Sequence, residues 1–140
     1  MGYFIKDQNF IGEINLDISL QEDRVGLVSV PKLSNLKIYV YGGEGKFPPH
    51  MHIFNRSINF ETCLMLYEPK YFIHGTKSDR FNKKQLVAID NFLKTPYSDS
   101  PLSKWQVACM MWDASNNPSK PLFSMKNIQP DYTKTIESIH

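Results

Sequence analysis

Between positions 14 and 75 the apolar residues mostly recur every second residue. From position 82 they recur every third or fourth. Ile14, Leu16, Ile18 and Leu20 alternate with Asn15, Asp17, Ser19 and Gln21, the pattern of a half-buried strand. Val25 to Val30 is β-branched and stops at Pro31, which lacks the N–H that a sheet ladder needs. Residues 14–30 therefore predict an N-terminal β-hairpin, an accessory element laid on the domain core.

Leu36 to Tyr41 predicts the next strand, with Leu36, Ile38 and Val40 facing one way and Lys37, Tyr39 and Tyr41 the other. Gly42-Gly43-Glu44-Gly45 supplies a tight turn, since glycine reaches positive φ without steric cost. Pro48-Pro49 keeps the following chain extended, and His50 to Asn55 reads as a second strand. Ile58 to Tyr67 should return antiparallel to it. Glu68-Pro69-Lys70 turns the chain again, and Tyr71 to His74 forms a fourth strand closed by Gly75. Such short connections favour an antiparallel meander over residues 36–75.

Helical spacing then takes over across residues 82–114. Asn82 can cap a helix from Lys83 to Lys94, with Leu86, Ile89, Phe92 and Leu93 on its apolar face. Ser100 followed by Pro101 predicts the start of a second helix ending at Ala114. Leu102, Trp105, Cys109 and Trp112 fall at spacings of three, four and three, a stripe that reads as core packing. Residues 115–140 form a tail: a polar loop, a few apolar anchors, and a short terminal helix from Asp131 to Ile139. The expected fold class is α+β. One domain of 140 residues carries an antiparallel β-meander with two helices packed on one face, plus the N-terminal hairpin.

Composition changes this picture little. Hydrophobic content of 41% and charged content of 21% are ordinary for a globular chain. The nine Phe and seven Tyr point to an aromatic-rich core. Net charge is +2, spread so thinly that the basic stripe of a nucleic-acid binder is not visible in sequence. Cys63 and Cys109 both sit in apolar runs and read as buried thiols rather than a disulfide framework or zinc knuckle. No leader pattern and no apolar run of about 18 residues is present. The protein is expected in the cytoplasm, with no membrane association.

Candidate chemistry gathers at Pro48-Pro49-His50-Met51-His52. In a strand, residues i and i+2 share a face about 7 Å apart, so both imidazoles can reach one ion or one anion. A metal would need a third ligand, for which His74, Glu44 and Glu61 are candidates, His74 the most attractive. Histidine-triad hydrolases need a third histidine where Phe54 stands, and cupin sites need a glutamate much nearer than Glu61. Gly42 to Lys46 is not a phosphate-binding loop, because Val40 and Phe47 occupy required positions. His50 paired with Glu61 or His74 could act in acid–base catalysis, as histidine titrates near neutral pH.

The stretch from Ile38 to Trp112 resembles the domain of unknown function 4160 family of small bacterial domains. The likeness lies in the apolar strand, the short polar turn, the Pro-Pro-His-x-His string (Met51 in place of the usual aromatic), the β-meander, a glycine near Gly75 and the helices. The Leu102 to Trp105 spacing is one residue short of the family's leucine–tryptophan element. The resemblance implies a domain often encoded beside toxin–antitoxin genes, with His50, His52 and the two prolines at its functional edge.

The expected function is a small intracellular protein-interaction module of a toxin–antitoxin or phage–host system. The competing class is a histidine-dependent enzyme, either a metal-dependent hydrolase or a metal-independent nuclease, with His50, His52, His74 and Glu61 as catalytic candidates. A third is a phage structural or accessory protein. Glu44, Lys46, Pro49, His50 and His52 form the expected ligand-binding set. The expected partner is another protein or a second copy of the chain, with nucleic acid left open. No cofactor and no resident metal is expected; a metal, if bound, would use His50, His52 and His74.

Overall fold

The strand foreseen at Leu36–Tyr41 forms with those bounds (β2) in the computed structural model, which describes residues 10–16, 36–55, 59–73, 79–116 and 128–139. It is flanked by β1 (Phe10–Leu16) and β3 (His50–Asn55). β4 (Phe60–Met65) and β5 (Lys70–Phe72) follow, then α1 (Lys83–Leu93), α2 (Lys104–Asn116) and a last strand β6 (Ile136–Ile139). The described strands form a single sheet in chain order, antiparallel from β1 to β5, with β6 added parallel to β5. This is an α+β fold.

Register explains the inner face. Ile14 aligns with Ile38, Ile38 with Ile53, and Met51 with Leu64. Leu36, Ile38, Met51, Ile53, Leu64 and Leu66 are fully buried, together with Ile89 and Leu93 of α1 and Trp112 of α2. The helical stripes read from sequence are thus the core stripes, except that Leu102 precedes α2 and is only half-buried. Polar atoms entering this core are paired: the Trp105 indole N–H donates to the Leu66 carbonyl at 3.1 Å, and the Tyr132 hydroxyl donates to the Met65 carbonyl at 2.7 Å.

The opposite face is covered as well. All six residues of β3 are buried, although simple alternation predicts one wet face. Tyr39 and Phe54 stack edge-on at 5.0 Å with Tyr41 beside them, and Cys63, Met65 and Phe72 form a neighbouring cluster with Phe47. The aromatic excess therefore serves two layers.

Several element boundaries differ from expectation: β4 stops at Met65, short of Tyr67, β5 starts at Lys70 and stops at Phe72, and α2 runs past Ala114 to Asn116. Helix α2 begins at Lys104, not Pro101, because Ser103 is its cap. The Ser103 hydroxyl accepts the Gln106 N–H and the Gln106 side chain accepts the Ser103 N–H, a reciprocal capping box. Residues 95–104 close on themselves instead, through a Pro96–Ser103 bridge and the Tyr97 and Lys104 N–H groups. The terminal helix expected from Asp131 is a 3-10 turn (Tyr132–Lys134) followed by β6. The Asp131 carboxylate accepts the Thr133 N–H, which tightens that turn, and the Ile136 N–H then bonds the Pro69 carbonyl and starts the strand. In the N-terminal region the strand begins at Phe10 and pairs with β2; residues 17–35, which hold the second arm of the expected hairpin, lie outside the described residues. The Asn82 cap of α1 is as expected, with Gln85 completing its capping box at 2.7 and 2.8 Å. No helix among the described residues is long and apolar enough to cross a membrane.

Candidate metal centre

Glu44, His50 and His52 come together where the glycine turn meets the first residues of β3. The Pro-Pro segment sets this up. The Pro49 carbonyl accepts the Leu66 N–H at 2.9 Å, which docks the extended segment on the end of β4. The Pro48 carbonyl faces back and accepts the His50 Nδ1–H at 2.7 Å. A carbonyl can only accept, so Nδ1 carries the proton and Nε2 of the neutral ring holds a lone pair. Ligating histidines are commonly oriented in this way.

Two residues on, His52 projects from the same face. Its Nε2 lies 3.2 Å from His50 Nε2 and 3.1 Å from Glu44 Oε1, and His50 Nε2 lies 3.2 Å from that same oxygen. Three donor atoms thus form a nearly equilateral triangle. Among the described residues it is the group of histidine, cysteine and carboxylate side chains placed to hold a metal ion. With His50 neutral, its Nε2 and the Glu44 oxygen both present lone pairs across 3.2 Å. Such a contact needs a positive centre, either a proton or a cation, in the triangle.

The walls are aromatic. The His50 ring lies 4.8 Å from Phe72, 5.3 Å from Trp112 and 6.4 Å from Phe47, and Tyr41 meets His52 edge-on at 4.7 Å. His50 is 0% exposed, while the Glu44 side chain is 13% exposed, so the site opens on the Glu44 side. Burial pushes the Glu44 carboxyl up, but hydrogen bonds from His50 and His52, and the charge these rings carry when protonated, outweigh it and hold the group well below the usual carboxylate range. Behind His52, Nδ1 faces the Cys63 sulfur at 3.5 Å. Burial pushes that thiol up to about 12, with the Glu44 and Glu61 charges adding to the effect, so Cys63 remains S–H at neutral pH.

Of the residues singled out from sequence, the structure unites Glu44, His50 and His52. Glu61 stands across from Phe54, two positions beyond Cys63, the partner of His52, and its backbone is clasped to Asp79. It is not part of the triangle. Lys46 is exposed, with its ammonium 5.4 Å from the Phe47 ring, and Pro49 acts through its backbone. His74 lies outside the described residues. Cys63, Trp112 and Asn116 gained no site role from sequence. A two-residue turn at 56–57 would have placed Glu61 opposite His52, whereas the observed register places Cys63 there; nothing local marks the other two.

No protein-family model matches the chain, and no curated protein and no solved structure matches it.

Proposed function

We propose that the protein is a metalloprotein whose Glu44–His50–His52 centre holds a zinc-class divalent ion and supports metal-assisted hydrolysis. The observation that carries this reading is the triangle of one carboxylate oxygen and two imidazole nitrogens, 3.1–3.2 Å on a side. At zinc bond lengths of about 2.0–2.1 Å, two ligands of a tetrahedral ion lie about 3.3 Å apart, and adjacent ligands of an octahedral ion about 3.0 Å. The three atoms fit one face of either. Two imidazoles and one carboxylate suit zinc, iron(II) or cobalt(II) better than magnesium or calcium, which prefer all-oxygen sites.

Three protein ligands with a remaining position are the pattern of catalytic rather than structural zinc, where four ligands close the site. A metal there supplies Lewis acidity and a water of lowered pKa. The chain's part is to fix His50 through the Pro48 carbonyl, keep the surroundings apolar, and leave access on the Glu44 side. The metal-independent nuclease reading fits less well, since an acid–base histidine must reach the scissile group and His50 is fully buried. A bound ion would also tie the 42–49 loop to β3, which suits the interaction-module role expected from sequence.

Chelator-stripped protein titrated with zinc or cobalt(II) should take up one ion per chain. Saturation at about 100 times Kd should raise stability by about 2.7 kcal/mol. His50→Ala should abolish uptake. A folded wild type that takes up no ion at millimolar metal overturns the proposal.

A further inference from the structure

The third ligand, Glu44, comes from a loop rather than from the sheet, so something must hold that loop. The last turn of α2 does so at two points. The Asn116 side-chain oxygen accepts the Glu44 N–H at 2.8 Å, and its NH2 donates to the Tyr41 carbonyl at 3.0 Å. Only one orientation of the amide satisfies both, since an N–H requires an acceptor and a carbonyl a donor. The two bonds span the Gly42-Gly43 turn, where Gly43 takes φ 76°, a conformation in which a side chain is strained. Gly45 then passes so close to the helix end that a Cβ there would lie 3.2 Å from the Asn116 carbonyl oxygen. One helical turn earlier, on the same face of α2, Trp112 backs the His50 ring at 5.3 Å. Positions i and i+4 of one helix thus address two ligands of the triangle.

We infer that Asn116 is a positioning residue for the metal centre: it sets Glu44 within reach of His50 and His52, so that the end of α2 delivers the third ligand. This rests on the metal reading above. With Asn116 truncated, the 42–45 turn loses its two side-chain tethers to the helix. The carboxylate then samples positions away from the two imidazoles, and the site falls back toward a two-histidine site.

Cobalt(II) titration of stripped protein, followed by its visible d–d spectrum, tests this. Asn116→Ala should weaken cobalt binding about 10- to 100-fold, the usual range for a residue that orients a ligand. Its bound-cobalt spectrum should match that of Glu44→Gln, and the double variant should bind no more weakly than Glu44→Gln alone. A role in general stability would give neither the shared spectrum nor the non-additivity. Wild-type affinity and spectrum in Asn116→Ala, or losses that add in the double variant, overturn the inference while leaving the metal reading intact. A wild type that takes up no cobalt overturns the metal reading first. Should Asn116→Ala fail to fold, Gly45→Ala probes the same contact from the loop side. It should weaken binding several-fold in the wild-type background and not in Glu44→Gln; equal losses in both overturn the inference.

Discussion

The two faces of β3 are equally dry and differently held. On one, Met51 and Ile53 are fully buried among Leu36, Ile38, Leu64 and the helical stripes. Their burial is itself the stabilising term, worth about 1.5–3 kcal/mol per large side chain. On the other, His50 and His52 are 0% and 7% exposed with a carboxylate beside them. Burial of such groups costs free energy unless every donor and acceptor is met. The Pro48 carbonyl and the Cys63 sulfur meet the two Nδ1 atoms, and a proton or cation within the triangle meets the three atoms that face one another. An apolar pair at positions 50 and 52 would have made a simpler second layer with Phe54, Met65 and Phe72. Keeping three convergent lone-pair donors in an aromatic setting is what singles out this face as the chemical one.

The contrast can be broken most forcefully at Trp112, which serves both sides. It is fully buried in the core and also backs His50. Trp112→Ala should lower unfolding free energy by about 3–5 kcal/mol, measured by urea denaturation. A smaller loss in metal-free protein would mean that the helix end is held chiefly through Asn116.

A finer test uses pH on metal-free protein. The folded pKa of Glu44 lies below its unfolded value of about 4.3. Its contribution is therefore present above that value and lost as pH falls toward the folded pKa. Between about pH 5 and pH 2 the wild type should lose more stability than Glu44→Gln, so the two urea midpoints should converge on acidification. Parallel profiles would show that the carboxylate gains nothing from the histidines.

The smallest expected effect compares the two thiols. Cys63 lies on the polar face and Cys109 in the core, 4% and 3% exposed respectively. Burial raises the pKa of both. Each should react with a thiol reagent at mildly alkaline pH only as fast as the protein opens, and at equal rates. Faster labelling of Cys63 alone would mean that the histidine face opens locally while the core stays shut.

Much of this molecule was legible before its structure. The β2 bounds, β3, the Asn82 cap and the core stripes on both helices follow from periods of two and 3.6 and from capping chemistry, which act within a few residues. The shared face of His50 and His52 follows from the same alternation. Where local signals competed, reading along the chain misled: Ser100-Pro101 looked like a helix start until the 95–104 loop closed on itself and left Ser103 as the cap. What only tertiary structure decided is which groups meet across distance. Glu44 became the triangle's third member because a glycine turn folds back over the start of β3. Asn116, 72 residues further on, holds that turn through two hydrogen bonds. Hydrogen bonds between residues so far apart leave no periodicity and no spacing to read. They exist only once the sheet and the helix have packed, and on them depends whether two histidines on a strand become a three-ligand centre.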